Sequence, residues 1–145
     1  MAEERPELTF DQLNVGQCYV DRQVAVTAEI VDAYCAAIGT ANPLYRDRGA
    51  TQGVAESIAP PSLLTMWTPP RVCFDDWRIP QGGIHTSQEW ESRRPVRPGD
   101  VLRQRVHARD KYLRNERRYV VLETRFENAS GELVAKGSMT LIWQK

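Results

Sequence analysis

The residues able to transfer protons or attack a substrate are few in this chain. It contains two histidines, His85 and His107, and three cysteines, Cys18, Cys35 and Cys73. The odd number and wide spacing of the cysteines fit neither a disulfide framework nor a zinc site, and no base stands beside any of them to make a nucleophile. Imidazole titrates near neutral pH, so His85 is a candidate acid or base, the alternative being an edge-strand histidine without a role. His107 lies among arginines and is expected to be solvated.

A second group of polar residues surrounds an Asn-Pro dipeptide. Asn42 precedes Pro43, Tyr45 follows two residues later, and Ser62 comes directly after Pro60-Pro61. Asn42 can accept a hydrogen bond within a turn, so it either forms the turn or shapes a ligand pocket. No base is visible beside Ser62, which is then a hydroxyl at the start of a helix.

An amphipathic helix must position the Asn-Pro turn. Thr27 is a good N-cap, and Gly39 suits the left-handed residue at the C-terminal end. Between them, apolar side chains recur at spacings of three and four, which predicts one buried face consisting of Ile30, Val31, Tyr34, Cys35 and Ile38. A short second helix is expected after the turn, and a third over residues 62–67, which begins after Pro60-Pro61 and is stopped by Pro69-Pro70.

Strands make up most of the rest. Residues 18–26 predict a first strand, and residues 71–83 a long loop whose aromatic residues could close over a ligand or a partner chain. From Ile84 the period is two, with Ile84 and Trp90 on one face and His85 and Glu89 on the other. Further strands are expected over residues 102–109, 119–127 and 133–143. One strand, a helix and then a run of antiparallel strands predict an α+β fold in a single domain, residues 1–145.

Composition excludes several classes of function. The chain has 145 residues, 41% of them apolar and 26% charged, which predicts a soluble globular protein. Its 19 basic and 19 acidic residues cancel, which argues against nucleic acid or an anionic membrane as partner. No apolar run reaches the ~20 residues of a membrane span, and the acidic start is not a signal peptide. We expect a cytoplasmic protein.

Several short motifs stand together in a specific order. The first is F-x-x-L-x-V-G, and the last is R-P-V-R-P-G-D at residues 94–100. The others lie between them, at Ala36, Gly39, Asn42, Pro43, Leu44, Asp47, Ile58, Ala59 and Leu63. This combination, over nearly the whole chain, resembles the MaoC-like hydratase/dehydratase family of the hot-dog fold. The resemblance implies an antiparallel sheet wrapped around one long central helix.

The chain departs from that family at all three parts of the catalytic apparatus. Thr40 stands where the family has its catalytic Asp, Tyr45 where it has its His, and Pro60-Pro61 where it has His-Gly. A hydroxyl is no general base at neutral pH, because tyrosine ionises only near pH ~10. Proline lacks the N–H that the family's glycine gives to the oxyanion. The pattern instead resembles the N-terminal-type half of the family, which pairs with a half that keeps Asp and His.

The resemblance implies a reaction and a partner. The family adds water to an α,β-unsaturated acyl thioester or removes it, without a further cofactor or metal, and this chain is expected to hold the acyl group of acyl-CoA or acyl-ACP. The partner would be a homologous hot-dog subunit in a heterodimer or dimer of heterodimers, and otherwise a second copy. The implied substrate-binding residues are Asn42, Tyr45, Ser62, Met66, Trp67, Phe74, Trp77 and His85. Leu63 is a further candidate for the wall of the acyl-binding site. The candidates for coenzyme A phosphates are Arg103, Arg105 and Arg109, which could equally be a plain charged sheet face.

Three functions remain open from the sequence. The chain could be the non-catalytic, substrate-accommodating subunit of a heteromeric (R)-specific enoyl thioester hydratase or dehydratase. It could be a self-sufficient homodimeric enzyme that uses His85 with Tyr45 or an acidic neighbour such as Glu89. It could also be a binding module that holds an acyl thioester without turning it over.

Overall fold

The fold is built on one five-stranded antiparallel sheet. A computed structural model describes residues 5–46, 57–69 and 74–144. The strands lie in the order β1-β3-β4-β5-β2, and every neighbouring pair is antiparallel. The elements are β1 (Cys18–Ala25), α1 (Ala28–Ile38), α2 (Pro43–Arg46), a 3₁₀ helix (Leu63–Trp67), β2 (Ile84–Ser92), β3 (Val101–Arg114), β4 (Arg117–Glu127) and β5 (Leu133–Trp143). Asp47 and Cys73, which the sequence analysis named, lie outside the described residues.

The ends of α1 are those that the sequence predicts. The Thr27 hydroxyl accepts a hydrogen bond from the backbone N–H of Ile30 at 3.2 Å. Gly39 adopts the left-handed conformation with φ 69°, and its N–H donates to the Ala36 carbonyl. Because both caps satisfy backbone groups that the helix leaves unpaired, the polar turn begins at a fixed point.

Alternation along β3 and β5 builds the core. Leu102, Gln104, Val106 and Ala108 are all buried on the inner face of β3, as predicted. Two apolar clusters fill that face. The first joins β1, the middle of β3, the start of β4, the end of β5 and the N-terminal segment around Phe74. The second holds α1 and the 3₁₀ helix against the start of β3 and the end of β4.

Two predictions about β2 and the loop before it are wrong. Residues directly opposite each other in an antiparallel pair share a face. His85 lies opposite Leu141, and the register shifts before Ser87, so a β-bulge resets the alternation. His85 therefore shares the inner face with Trp90, and Ile84 does not. In the loop, Phe74 is 0% exposed and stacks on Tyr19, so it belongs to the core rather than to an exposed aromatic surface.

Candidate functional site

An apolar recess lies between α1 and the 3₁₀ helix. Its volume is about 540 Å³, and we call it the helix groove. Ile38 and Met66 on its walls are 50% and 43% exposed, which is high for side chains of this size. The groove is lined by Ile30, Ala33, Tyr34, Ala37, Ile38, Leu63, Thr65 and Met66.

The groove exists because α1 is apolar on more of its surface than the sheet covers. Val31 and Cys35, four residues apart, are the side chains of α1 that are fully buried. A second apolar stripe runs beside them at Ile30, Ala33 and Ala37, at the spacing of adjacent helical turns. The helical spacing alone predicts one face where the helix has two stripes. The core covers the second stripe only in part, because Ile30 packs against the second cluster whereas Ala33 and Ala37 are exposed.

Hydroxyl groups are the polar side-chain groups of the groove. The Tyr34 phenol donates to the Ser62 hydroxyl at 2.8 Å, and the Thr65 hydroxyl donates to the Ser62 backbone carbonyl at 2.7 Å. Ser62 therefore accepts from the helix instead of capping the 3₁₀ helix, where no side-chain cap forms. None of the lining residues is an acid, a histidine or a lysine. The groove can hold an apolar chain, but its own side chains offer no general base at neutral pH.

The turn after α1 is held by side-chain hydrogen bonds. The Asn42 side-chain oxygen accepts from the Leu44 N–H at 3.1 Å, and the Thr40 hydroxyl accepts from the Asn42 N–H at 3.3 Å. Asn42 thus forms the turn, one of its two predicted roles. Tyr45 is half-buried and packs against the second cluster.

The Pro60-Pro61 segment is tied to the edge of the sheet. The indole N–H of Trp90 donates to the Pro61 carbonyl at 3.3 Å, and its ring packs edge-on against Phe126. The indole lies directly on Gly137 of β5, where a side chain would collide with it. Trp90 fixes the start of the 3₁₀ helix relative to β2, a role that the sequence analysis did not assign.

A buried amide fixes the other end of the 3₁₀ helix. Gln104 is fully buried, its side-chain N–H donates to the Trp67 carbonyl, and its side-chain oxygen accepts from Arg22 at 3.2 Å. A buried polar side chain is stable only when its hydrogen bonds are made. A single polar position in the apolar face of β3 was the sequence signal for this anchor. Of the predicted wall residues, Leu63 and Met66 line the groove, whereas Trp67 packs against the second cluster.

His85 and Trp77 lie elsewhere. His85 borders a separate recess of about 290 Å³ with Pro80, Leu141 and Trp143. Its ring Nε2 lies 3.2 Å from the Ser87 carbonyl. Trp77 packs against the first cluster, as do Leu141 and Trp143, whereas Tyr45 packs against the second. Within one chain, the candidate pair His85 and Tyr45 is therefore not brought together.

The arginine row lies on the outer face of β3. Arg103 binds both carboxylate oxygens of Asp21, at 2.8 and 2.7 Å, and Arg105 pairs with Glu127. The hydrogen bond from Arg103 lowers the pKa of Asp21 below its usual value. Arg109 is exposed beside Glu123. Two of the three candidate arginines thus already have carboxylate partners, and a role in binding coenzyme A stays a prediction.

Other kinds of site find little support in the described part of the chain. Within it, no group of three or more His, Cys, Asp or Glu side chains could hold a metal ion. Among the same residues, none of the helices combines the length and apolar character that a bilayer crossing requires.

The sheet and its helices form the hot-dog fold. R-Hydratase PhaJ1 from Pseudomonas aeruginosa superposes with a TM-score of 0.75 at 23% identity, over 96% of this chain and 87% of that one. The HadBC (3R-hydroxyacyl-ACP dehydratase) complex from Mycobacterium tuberculosis gives 0.71 at 20%, over 88% and 96%. The ChsH1-ChsH2 complex from the same organism gives 0.74 at 18%, over 94% and 89%. The fold predicted from the motifs is confirmed.

Sequence comparison then identifies the family. Residues 14–137 match the family described as FAS1-like, dehydratase domain region, and the chain belongs to it. The UPF0336 protein Franean1_6066 of Parafrankia sp. is 32% identical over 149 residues, covering 93% of this chain and 95% of that protein. The predicted membership of the hydratase/dehydratase superfamily is therefore confirmed.

Proposed function

We propose that this chain is the acyl-accommodating, non-catalytic subunit of a heteromeric (R)-specific hydratase or dehydratase acting on enoyl-CoA or enoyl-ACP. The helix groove takes the apolar part of the acyl group. A second hot-dog chain supplies the Asp and His that activate water. The reaction needs no cofactor beyond the thioester substrate.

The observation that carries the proposal is the chemistry of the groove. Its walls are aliphatic and aromatic, and its hydroxyls at Tyr34, Ser62 and Thr65 already bond to one another or to the backbone. Hydration requires a base for water and a donor for the thioester oxygen. Thr40, Tyr45 and Pro61 stand where these groups are expected, and none of them supplies a base at pH 7 or, in the case of Pro61, a backbone N–H. The groove can therefore bind an acyl chain, but the chain does not supply the base and the N–H donor that hydration requires.

The edge of the sheet supports a second chain as partner. Within the described residues, β2 pairs with β5 on one side and with no strand on the other, and all its residues except Trp90 are exposed. An open edge strand presents unpaired N–H and carbonyl groups to another strand. The likeness to HadBC and ChsH1-ChsH2, both complexes of two different chains, fits such a pairing.

The first experiment compares the isolated chain with a mixture. The purified chain alone should not hydrate crotonyl-CoA or longer enoyl-CoA and enoyl-ACP substrates. Activity should appear when a hot-dog partner with an intact Asp and His motif is added, and both chains should co-elute. Brisk turnover by the isolated chain would refute the proposal.

A matched pair of substitutions tests the groove. Ala37 lines it, whereas the neighbouring Ala36 is exposed and is not among its lining residues. In the assembled enzyme, Ala37→Trp should exclude two or three methylenes of a long acyl chain. At ~0.8 kcal/mol per CH₂, this should lower kcat/KM for long substrates about tenfold or more and leave crotonyl thioester within about twofold. Ala36→Trp should leave both unchanged. Equal effects of the two substitutions would place the acyl chain elsewhere.

A self-sufficient homodimer is the second candidate, and one structural observation favours it. If two copies pair antiparallel along β2, their strands run in opposite directions. The end of one sheet that carries His85 then meets the end of the other that carries Tyr45. In that case the isolated chain is active, and His85→Ala abolishes the activity. A chain that binds enoyl thioesters but remains inactive with every partner would be a binding module.

A further inference from the structure

We propose that the hydroxyl groups of Tyr34 and Ser62, which we call the hydroxyl pair, form a polar subsite of the helix groove. Given the acyl-binding function proposed above, on which this inference rests, the subsite selects acyl groups that carry a hydroxyl or keto oxygen remote from the thioester. The two oxygens of the pair lie 2.8 Å apart. Tyr34 lines the groove, and Ser62 directly precedes Leu63, which lines it as well.

The hydroxyl pair has one proton more than its hydrogen bond uses. Tyrosine and serine each contribute one O–H donor and two acceptor lone pairs. The hydrogen bond between them uses one donor, so whichever hydroxyl donates, the other keeps its proton. Among the residues that the structure describes, neither hydroxyl makes a second hydrogen bond. Thr65, the other hydroxyl of the groove, has no donor left, because it donates to the Ser62 carbonyl at 2.7 Å.

Packing fixes the position of the hydroxyl pair before a ligand binds. Tyr34 is half-buried and packs against the second cluster. The segment that carries Ser62 is held on one side by the hydrogen bond from Trp90 to the Pro61 carbonyl and on the other by the burial of Leu63. A donor that is already held in place loses less conformational entropy on binding than a mobile side chain. Because hydrogen-bonded hydroxyls polarise each other, the remaining O–H is also a stronger donor.

The other side chains of the groove determine which kind of oxygen fits. Apart from Tyr34 and Thr65 they are apolar, and none of the lining residues carries a positive charge. A carboxylate would lose hydration there without a cation to replace it, whereas a hydroxyl or keto oxygen needs only the one hydrogen bond. A ligand hydroxyl can in addition donate to a free lone pair of the hydroxyl pair.

The oxygen that the hydroxyl pair binds belongs to the acyl chain and not to the thioester. In the proposed complex, the thioester lies where the second chain supplies Asp and His, and the helix groove receives the apolar part of the acyl group. A saturated chain leaves the free O–H of the pair without an acceptor on the ligand, whereas an oxygenated chain pairs with it. The groove therefore distinguishes oxygenated from plain acyl groups by one hydrogen bond.

Isothermal titration calorimetry of the full chain tests the subsite with dodecanoyl-CoA and its derivatives hydroxylated on carbon eight, ten or twelve. One neutral hydrogen bond should make at least one hydroxylated probe bind about threefold to tenfold more tightly than dodecanoyl-CoA, and we call this ratio of dissociation constants the hydroxyl preference. Dodecanedioyl-CoA, which ends in a carboxylate, should show no such gain.

Variants of the hydroxyl pair separate hydrogen bonding from support of the groove wall. Tyr34→Phe and Ser62→Ala each leave one hydroxyl with its proton, so each should keep a hydroxyl preference of at least about twofold. The double variant has no donor, and its hydroxyl preference should fall to about one. The matched control, Tyr112→Phe with Ser130→Ala, removes the same two groups from exposed positions of the sheet and should leave the preference unchanged. Circular dichroism of each variant verifies that the fold is kept.

The possible results distinguish failure of the subsite from failure of the proposed function. If dodecanoyl-CoA binds but no hydroxylated probe binds more tightly, the subsite is overturned and the acyl-binding role stands. A hydroxyl preference that survives in the double variant would place the oxygen elsewhere and overturn the subsite too. Tighter binding of dodecanedioyl-CoA than of every hydroxylated probe would overturn the selection of a neutral oxygen. If none of the probes binds, the acyl-binding role and the subsite are both refuted.

Discussion

Adding one methyl group at Gly137 should disconnect the edge strand from the helix groove. A Cβ built on Gly137 lies 2.4 Å and 2.8 Å from two atoms of the Trp90 ring and 2.9 Å from the Glu89 carbonyl. Carbon atoms in contact prefer about 3.5–4.0 Å, so the indole must turn by more than an ångström. It would then lose its hydrogen bond to Pro61 and its edge contact with Phe126.

The magnitude of the Gly137→Ala effect follows from these terms. Overpacking costs about 1–3 kcal/mol, and the lost hydrogen bond and aromatic contact cost about 0.5–1.5 kcal/mol each. The general advantage of alanine over glycine in a strand offsets about 0.5–1 kcal/mol. We expect unfolding free energy to fall by about 2–3 kcal/mol and Tm by about 5–10 °C. Urea denaturation at fixed protein concentration measures the change.

The sign of the effect makes the test sharp. Without the collision, Gly137→Ala would stabilise the protein. In a Trp90→Ala background, the cost of Gly137→Ala should shrink by at least about 1 kcal/mol, since contacting residues couple in a double-mutant cycle. Gly131→Ala serves as control, because its Cβ would meet nothing within 4 Å and costs only its positive φ in either background. A stabilised Gly137→Ala variant, or one whose cost ignores Trp90, would refute the reasoning.

Three further predictions concern other contacts. Gln104→Leu leaves the buried Trp67 carbonyl without its donor and should lower the unfolding free energy by about 1–3 kcal/mol in urea titrations; no loss would mean that the amide is dispensable. Thr27→Ala removes the N-cap and should cost about 1 kcal/mol, whereas Thr27→Ser should cost little. The pKa of Asp21 is lowered when folded, so its stabilising contribution is present above the unfolded pKa of about 3.9 and disappears as pH falls through the folded pKa. Arg103→Gln should raise the Asp21 pKa in an NMR titration and flatten the loss of stability in acid, and an unchanged pKa would contradict the assigned cause.

Local signals explain why much of the fold was predictable. The helix between Thr27 and Gly39 has a cap at each end, and both caps depend on residues within a few positions. The alternation in β3 and β5 likewise reports which side chains face inward. Each of these features depends on residues that are close in sequence, so it can be predicted from short segments of the chain.

The sequence does not predict the features that depend on tertiary contacts. The β-bulge before Ser87 depends on the register with β5, and no residue type in β2 announces it. The hairpin at Asn115 lacks the glycine that usually marks such a turn, so the sequence analysis left the segment before Tyr119 without a strand. Phe74 belongs to the loop whose aromatic residues are predicted to close over a ligand or a partner chain, yet it is buried in the core.

The sequence predicts the chemical character of the candidate site but not which residues line it. The residue types of Thr40, Tyr45 and Pro61 alone predict that acid, base and N–H donor are replaced, and this stays a prediction. The sequence does not predict that α1 divides into a stripe that faces the sheet and a stripe that faces the groove, because both stripes share the helical period. Tyr34 packs against the second cluster as predicted, and its hydroxyl also donates a hydrogen bond to Ser62, which the helical spacing does not predict.

The positions of the exposed apolar side chains connect the groove with the proposed partner. Single apolar residues on a surface need no explanation, but contiguous ones indicate an occupant. Ile38 and Met66 are exposed on the helix groove, and Ile84 is exposed on the open edge of β2. These are the two surfaces that an acyl chain and a second hot-dog subunit would cover. Trp90 spans them, because its backbone belongs to the edge strand and its indole binds the segment that begins the groove wall. A partner that pairs with β2 would thereby also fix the position of the groove wall.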